Sequence, residues 1–412
     1  MPRRRQSSPF SLPKAEILAN VSKAKALEAT HSDPKATARR VFNEILIKTL
    51  RAYDPSKLKA YTPNSFVVAQ TREKLMLIRD QLKGHEIVGV DLENNHRDSY
   101  NGFTCLIQLS TYDLTSGDVA TFVVDVLAPE VGDSLSEILG ASLFENPNIL
   151  KLLHGCITSD LQWMVRDFGI KMVSVFDTQE FHKKFISSKE LSLANFWALY
   201  CPGLATIDVS EKKEMQASNW AERPLRQEQL DYAANDTYFL LNIACLQIRQ
   251  ALERKPEALT SGEMSKWFEE WSVRVMKVSY RLKSQDFDPA ETYKKYFKRL
   301  IDFYDESDEY LLCLLVFREL FALREQCAEL IDINREELLS NEALLILARQ
   351  RPRTMRQLER VVEDFNVSRT QAQDEFVKGE LGPLIVQSIS ESVDEKYKRE
   401  RPSLLTAMVK NG

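Results

Sequence analysis

Four carboxylates and one phenol stand out because each lies at the edge of an apolar segment that can hold it rigidly. They are Asp91 and Glu93 in IVGVDLE, Asp160 in HGCITSDLQWM, and Tyr232 with Asp236 in YAANDTYFLL. Four carboxylates brought together repel one another unless cations are bound, and Mg²⁺ and Mn²⁺ prefer such all-oxygen sites. Two such ions about 4 Å apart can drive in-line attack of water on a phosphodiester. The pattern therefore indicates a metal-dependent nuclease.

The spacing of the first pair predicts a strand. Asp91 and Glu93 follow the apolar run Ile87–Val90 and are separated by one residue. Residues i and i+2 of a strand project to the same face, so both carboxylates would leave the end of a buried strand together. Taken alone, two acids in this spacing are more often surface residues at a strand end.

The other three residues point to helices. Tyr232 and Asp236 are four residues apart, which places both on one face of a helix. Asp160 follows a break at Gly155 and begins an apolar stretch that contains Trp163 one turn later. By itself Asp160 is equally well explained as a helix N-cap, and Tyr232 as a residue that caps the core.

The elements that would position these side chains form a mixed sheet with helices on its faces. Three strand signals with short connections predict an antiparallel meander, and two later strands alternate with helices. The predicted strands are Ile87–Leu92, Phe103–Ser110, Thr121–Val126, Ile149–Leu153 and Met172–Phe176. The predicted helices around them are Thr71–Leu82, Ser134–Phe144 and Asp160–Phe168, with mostly helical sequence from there to about Glu253.

Length and composition indicate two or three domains with real cores, since the chain has 412 residues of which 44% are hydrophobic. We divide it into a basic, partly helical extension (1–65), a mixed α/β domain (66–253), a helical linker (254–308), an all-helical domain (309–390) and a tail (391–412).

Charge is distributed unevenly along the chain. Residues 1–60 hold 13 Lys and Arg against 5 Asp and Glu, a charge of +8. The remainder therefore carries −13, since the whole chain carries −5. A basic arm can bind phosphates in a salt-dependent way, and a solvated helical extension explains the same composition equally well.

Membrane insertion and disulfide bonding are not expected. The longest apolar run, Leu311–Phe317, is too short to span a bilayer, and the N-terminus lacks the apolar core of a secretory signal. The six cysteines are scattered without a C-x-x-C pair, which favours buried reduced thiols over disulfides or a zinc site.

The order of the motifs resembles the DEDD superfamily of 3′→5′ exonucleases. The tyrosine four residues before the last Asp matches the DEDDy branch; the histidine branch places its His where this chain has Asp231. The resemblance extends over roughly residues 66–250 to the RNase D group and, within it, the Rrp6-like exonucleases of the nuclear exosome. The stretches that carry it are GVDLE, SYNGFTCLIQLST, LLHGCITSDLQWMVRDFG, VFDT and NWAERPLRQEQLDYAANDTYFLLNI. It implies an RNase H-like (DnaQ-like) α/β fold.

The C-terminal helices resemble an HRDC domain. The stretch that carries this resemblance is FRELFALREQCAELIDINREELLSNEALLILARQRPRTMRQLERV. An exonuclease domain followed by one HRDC domain is the order found in RNase D and Rrp6. Such domains act as nucleic-acid-binding or positioning modules, and simple scaffold packing is the alternative for these helices.

The resemblance implies a role for each of the five residues. Asp91 would bridge two metal ions, Glu93 and Asp236 would complete the site of the ion that activates water, and Asp160 would help hold the second ion. The implied cofactor is two Mg²⁺ ions, with Mn²⁺ or Zn²⁺ as alternatives. Because a phenol has an unperturbed pKa of about 10, Tyr232 would orient the attacking water as a neutral hydroxyl.

Five further residues are candidates for contacts with the substrate. Trp163 is expected to stack on a terminal base, with His154 and Asn94 nearby. Lys213 and Arg223 are expected to contact phosphates, and as cations they are equally explained as solvated side chains.

The chain departs from the family pattern at four points. The stretch from His154 to Asp160 is one residue longer, although Asp160 is the only acid in it. Asn94 stands where the family has a His after the metal-binding Glu, and Asn219 stands where it has an Asp. The N-terminal region also looks short for the cofactor-binding domain that precedes the Rrp6 catalytic region.

The resemblance implies a metal-dependent 3′→5′ exoribonuclease that acts on single-stranded RNA 3′ ends in RNA processing and degradation. The expected partners besides RNA are an exosome core or an Rrp6-type cofactor protein, and no membrane. The nucleus is the expected compartment, with cytoplasm or an organelle as the alternatives. Two other functions stay open at this point: a catalytically weak RNA-binding scaffold and a DNA exonuclease of the Werner type.

Overall fold

A computed structural model of the chain describes residues 9–30, 33–204, 215–216, 218–282, 308–365, 367 and 377–400. The chain divides into two compact units. The sheet unit comprises Leu12–Asn95 and Phe103–Tyr280. The helical unit comprises Met1–Ser11, His96–Gly102 and Arg281–Gly412.

Six strands form the sheet. In chain order they are β1 (Val67–Ala69), β2 (Ile87–Asn95), β3 (Phe103–Tyr112), β4 (Val119–Asp125), β5 (Leu150–Leu153) and β6 (Val175–Asp177). Their spatial order is β1-β4-β3-β2-β5-β6. The β2–β3–β4 meander is antiparallel, whereas β1 pairs with β4, β5 with β2, and β6 with β5 in parallel. The predictions of a meander and of a mixed sheet are therefore confirmed.

One strand was not predicted, and another begins three residues later than predicted. β1 was not expected, because three residues are too short to show an alternating pattern; β4 defines it by pairing with Val67–Ala69. The last strand is Val175–Asp177 instead of the predicted Met172–Phe176. Met172 and Val173 are buried outside the ladder, so their apolar character reports burial and not strand pairing.

Twelve helices of the sheet unit are defined in the described part of the chain. They are α1 (Lys14–Thr30), α2 (Pro34–Arg40), α3 (Ile47–Ala52), α4 (Arg72–Leu82), α5 (Pro129–Leu135), α6 (Asp160–Phe168), α7 (Thr178–Phe185), α8 (Leu193–Tyr200), α9 (Gln227–Tyr238), α10 (Leu240–Arg254), α11 (Glu257–Thr260) and α12 (Glu263–Met276). A π-helical segment, Val41–Leu46, joins α2 to α3, and another, Ser136–Phe144, continues α5.

The N-terminal helices pack on the sheet unit. Helix α1 lies against α6, where the Asn20 side chain donates to the Arg166 carbonyl at 2.9 Å. Helix α2 lies against α12, where Arg39 pairs with Glu269 at 2.8 Å. The described part of the basic segment is thus packed within the sheet unit, and its first helix lies against the helix that begins at Asp160.

The helical unit is built around one long helix. Its helices are α13 (Asp308–Leu330), α14 (Arg335–Leu338), α15 (Asn341–Gln350), α16 (Met355–Asp364) and α17 (Gly382–Glu391). Phe317, Phe321 and Leu344 belong to its apolar core. Within this unit the loop His96–Gly102 is also held, because Tyr100 is buried and donates to Glu325 at 2.9 Å.

The cysteines and the membrane expectation can be checked directly. All six cysteines are free thiols, and five of them are buried. Among the residues that the structure describes, no helix is long and apolar enough to cross a bilayer.

Candidate active site

The first two carboxylates leave the central strand where its apolar part ends. Asp91 and Glu93 lie on β2, opposite Gln108 and Leu106 of β3, and both are half-buried. The strand reads as a continuous apolar run before Asp91 because it is flanked by β3 and β5 and covered on both faces. The sheet therefore fixes the backbone that carries both side chains.

The third carboxylate comes from α9, which crosses β2, β3 and β4. Tyr232 and Asp236 occupy one face of this helix and are only 2% and 3% exposed. Gly89 of β2 permits the close approach, since an added Cβ would lie 3.0 Å from the Thr237 carbonyl oxygen and would also meet the Tyr112 hydroxyl. That hydroxyl donates to the Thr237 carbonyl at 2.6 Å and ties the helix to β3.

Together these elements assemble a three-carboxylate cluster. Asp91, Glu93 and Asp236 each offer a carboxylate oxygen, and the three oxygens lie within 4.8 Å of one another. An all-oxygen donor set with three negative charges fits a hard divalent cation such as Mg²⁺ or Mn²⁺. The sequence predicted the members of this cluster, and the fold brings them to one point.

Asp160 lies beside the cluster without being part of that three-residue group. It is the first residue of α6 and is buried, and Ser159 Oγ donates to its Oδ2 at 2.6 Å. Burial raises the pKa of Asp160 to about 6, while hydrogen bonds from Ser159 and from the backbone N–H of Leu92 act in the opposite direction. Leu92 stands between Asp91 and Glu93, so the influence of its N–H on Asp160 puts this carboxyl near β2.

The loop that precedes Asp160 is organised by Asp177 at the end of β6. The Asp177 carboxylate accepts hydrogen bonds from the backbone N–H groups of Gly155 and Cys156 at 3.0 and 2.8 Å. The same carboxylate caps the N-terminus of α7. In this stretch Gly155 takes a left-handed conformation at φ 70°, and a short 3-10 turn, Cys156–Thr158, follows it.

The phenol of Tyr232 is held in its protonated form. Burial raises the pKa of Tyr232 far above its ordinary value, and the negative charges of Asp236, Glu93 and Asp91 raise it further. Its ring packs against Trp220 with 5.9 Å between ring centroids. Such a tyrosine donates a hydrogen bond and does not supply a phenolate at neutral pH.

Three of the predicted substrate contacts lie on the elements that form the site. Trp163 is half-buried one turn after Asp160 on α6, and Asn94 follows Glu93 on β2 with both amide atoms buried and no hydrogen-bond partner. Both ring nitrogens of His154 are engaged, by the Thr178 hydroxyl at 2.9 Å and the Leu191 carbonyl at 3.1 Å.

Arg223, one of the two predicted cations, is bound by a carboxylate of the protein. Arg223 forms a two-pronged ion pair with Asp125 at the end of β4, with N–O distances of 2.6 and 2.9 Å. Lys213 lies outside the residues that the structure describes.

Three residues that shape the site were not predicted from the sequence. Gly89 was signalled by a glycine inside a strand, which often marks a close backbone approach. Asp177 follows an apolar run and precedes Thr178, the pattern of a helix N-cap. Asp125 carried no signal of its own, because its partner Arg223 is 98 residues away.

Comparison with known families agrees with this geometry. A family model described as 3′-5′ exonuclease matches residues 66–255, and the HRDC domain model matches residues 314–370. The chain therefore contains a 3′-5′ exonuclease domain over residues 66–255, followed by an HRDC domain. Both predicted resemblances are thereby confirmed.

Similar proteins include exosome components. The exosome complex component 10 homolog of Caenorhabditis elegans is 33% identical over 192 residues, 47% of this chain and 20% of that protein. Exosome complex component 10 of Rattus norvegicus is 30% identical over 69% of this chain and 29% of that protein. The chain therefore matches less than a third of the length of either relative.

Solved structures agree on the fold. The catalytic core of RRP6 from Trypanosoma brucei has a TM-score of 0.63 and 25% identity, and the match covers 84% of this chain and 87% of that one. RNase D of Escherichia coli, described as an exoribonuclease involved in structured RNA processing, has a TM-score of 0.51 and 18% identity over 80% of this chain and 75% of that one. The α/β sheet with flanking helices and a helical HRDC domain confirms the predicted fold class.

Proposed function

We propose that the chain is a metal-dependent 3′→5′ exoribonuclease that removes nucleoside 5′-monophosphates one at a time from RNA 3′ ends. The carrying observation is the cluster of Asp91, Glu93 and Asp236, whose carboxylate oxygens lie within 4.8 Å of one another inside an exonuclease domain. A buried tyrosine on the same helix face as Asp236 completes a DEDDy set.

Four carboxylates would hold two Mg²⁺ ions. Asp91, Glu93 and Asp236 fit the first ion, and Asp160, next to β2, would hold the second together with Asp91. Bound divalent ions supply a water nucleophile at neutral pH and stabilise the attacking and leaving oxygens of an in-line displacement. The role of the protein is to keep four mutually repelling carboxylates on a rigid strand and two helices.

The remaining residues orient the reactants. Tyr232, as a neutral donor, would direct the attacking water, since burial raises the pKa of its phenol above the ordinary value. Trp163 would stack on the terminal base, and the amide of Asn94, with its buried donor and acceptor, would meet the nucleotide beside it. His154 and Lys213 are further candidates for substrate contacts.

The names of the relatives support a proposal for the biological setting. Exosome complex component 10 is the name of several of them, and the yeast relative is named exosome complex exonuclease RRP6. We infer that this chain processes or degrades RNA in the nucleus in association with an exosome core or an Rrp6-type cofactor protein. Affinity purification of the full chain tests this: exosome core subunits should be recovered with it, and their absence would contradict the inference.

Asp236→Asn is the direct test of the activity. The substrate is a labelled single-stranded RNA with a 3′-hydroxyl, incubated with Mg²⁺ and, in parallel, with EDTA. The wild type should release nucleoside 5′-monophosphates only with Mg²⁺, and Asp236→Asn should release none although its circular dichroism spectrum is unchanged. Asp133→Asn, an exposed acid on α5, serves as the matched control and should trim like the wild type.

Three outcomes would contradict this proposal. Undiminished trimming by Asp236→Asn would exclude the assigned site. RNA binding without any trimming by the wild type would indicate a scaffold. Faster trimming of DNA than of RNA in matched sequence would indicate a DNA exonuclease.

A further inference from the structure

The Arg223 guanidinium has all five of its N–H donors engaged inside the sheet unit. Nε and Nη2 donate to the two carboxylate oxygens of Asp125 at 2.9 and 2.6 Å. Nη1 donates to the carbonyls of Trp220 and Glu222 at 2.6 and 2.9 Å, and Nη2 also reaches the carbonyl of Cys105 at 3.4 Å. Since a guanidinium carries five N–H donors, none remains for a phosphate without breaking one of these bonds.

The ion pair is also shielded and neutralised. The Asp125 side chain is 3% exposed and that of Arg223 22%. A two-pronged arginine–carboxylate pair in this setting is rigid as well as strong, because both groups are planar and held at two points. Gln70 donates to the same carboxylate at 3.2 Å and fixes it further.

The ion pair is connected to Tyr232 through Trp220. Arg223 holds the backbone carbonyl of Trp220, and the Trp220 ring, 1% exposed, packs against Tyr232. The neighbouring Asn219 accepts from the Asn95 side chain at the end of β2 at 3.1 Å. The segment 218–223 is therefore held at both ends, and the Trp220 ring packs behind the Tyr232 ring.

We propose that Arg223 and Asp125 act as one unit that positions Trp220 against Tyr232. Arg223 then contributes to the reaction by fixing Trp220 and not as a phosphate ligand. The proposal rests on the proposed function for its kinetic consequences. Arg223, Asp125 and Trp220 are positioning residues, because they reach the reacting atoms only through Tyr232.

The kinetic test compares Arg223→Gln with Asp125→Asn. Each should lower kcat by about 10-fold to 100-fold, because a small displacement of a catalytic group lowers the rate by about that much, while KM stays within about twofold. The double variant should be no slower than the slower single variant, because both changes break one unit. Trp220→Phe should lower kcat in the same way.

A phosphate contact predicts a different pattern. Arg223→Gln would then raise KM and lower the slope of log affinity against log salt by about 1. Asp125→Asn would leave Arg223 with an uncompensated charge and tighten RNA binding. Either result, or additive losses of kcat in the double variant, would overturn the proposal.

Arg223→Lys separates charge from shape. Lysine keeps the positive charge but cannot bind a carboxylate and two carbonyls as a planar fork. It should therefore remain as slow as Arg223→Gln, whereas recovery of wild-type KM and kcat would assign a charge contact to RNA. Thermal melts followed by circular dichroism confirm that each variant is folded before its kinetics are read.

A second readout does not depend on activity. In protein labelled with fluorotryptophan, the ¹⁹F resonance of Trp220 is assigned by its loss in Trp220→Phe. Arg223→Gln and Asp125→Asn should both shift this resonance and leave those of Trp163 and Trp267 in place. An unshifted Trp220 resonance would overturn the positioning role, even if the wild type proved to have no nuclease activity.

Discussion

Replacing Asp236 with Asn should stabilise the metal-free protein and, at the same time, remove its stabilisation by Mg²⁺. The reason is the repulsion among three carboxylates whose oxygens lie within 4.8 Å of one another. The change from Asp to Asn removes one charge from two of the three pairs. It keeps an oxygen that can accept the hydrogen bond of Tyr232, so little packing or hydrogen bonding is lost.

The size of the effect follows from Coulomb's law. At 4.8 Å, two like charges repel by ~3 kcal/mol with an effective dielectric constant of ~20, and by ~1 kcal/mol in bulk water. Because Asp91 and Glu93 are half-buried, the pairs fall towards the weaker limit, and two of them sum to about 2 kcal/mol. For a unit of this size that corresponds to a rise in Tm of about 4 to 8 °C.

The assay is a pair of thermal melts for each protein, one in EDTA and one in Mg²⁺. A ligand at 100 times its Kd stabilises the folded state by ~2.7 kcal/mol, so the wild type should gain at least as much from Mg²⁺ as the mutation gains in EDTA. Asp236→Asn should melt higher than the wild type in EDTA and gain little from Mg²⁺.

The control for these melts is a variant outside the three-carboxylate cluster. Asp133→Asn removes an exposed acid outside the cluster and should change neither melt by more than about 0.5 kcal/mol. If Asp236→Asn melts below the wild type in EDTA, the three carboxylates do not repel one another in the folded protein. If it retains the full Mg²⁺ shift, Asp236 is not a ligand.

Three further predictions follow from the same site and its surroundings. Tyr232→Phe should lower kcat by about 100-fold or more with RNA affinity unchanged, measured by single-turnover trimming and equilibrium binding; a collapse of binding would show that the tyrosine is structural. Gly89→Ala should cost about 1–3 kcal/mol in urea denaturation and weaken Mg²⁺ binding, because its Cβ would push α9 away at Thr237; wild-type Mg²⁺ affinity would contradict this. Burial, aided by the charge of Arg254, lowers the pKa of His182 below its ordinary 6.5. As the pH falls, the His182 imidazole therefore becomes protonated in the unfolded chain before it does so in the folded protein. Stability should therefore fall by at most ~1.4 kcal/mol per pH unit below about pH 6.5, until the folded-state pKa is reached. His182→Phe should flatten that part of the profile, and an unchanged acid limb in urea titrations from pH 5 to 8 would contradict the assignment.

The spacing of apolar residues along the chain was sufficient to predict many of the helices and strands. Helix α6 has the predicted bounds Asp160–Phe168. The predicted helix Thr71–Leu82 is α4, in which Thr71 is the N-cap and accepts from the Lys74 backbone N–H. These elements contain their own signals: a cap, an apolar face at helical spacing and a break at each end. The antiparallel meander was predictable for the same reason, because its connections are short.

Pairing partners were not predictable in the same way. The edge strand β1 exists because β4 lies beside it, and the apolar residues Met172 and Val173 are buried without joining a strand. A buried apolar residue has the same sequence signature whether it pairs in a ladder or packs in a loop, so tertiary contacts decide between the two.

For the site, the sequence by itself determined the donor atoms and their local pairing. Two residues on a strand share a face, and residues four apart on a helix share a face, so Asp91 with Glu93 and Tyr232 with Asp236 were set by spacing alone. Only the tertiary structure decided that the two pairs meet, because their approach depends on the sheet order and on Gly89. It also decided that Asp160 lies against Leu92 beside the three-carboxylate cluster and that Arg223 faces Asp125. Distances between elements far apart in the chain are set by packing, which no local pattern encodes.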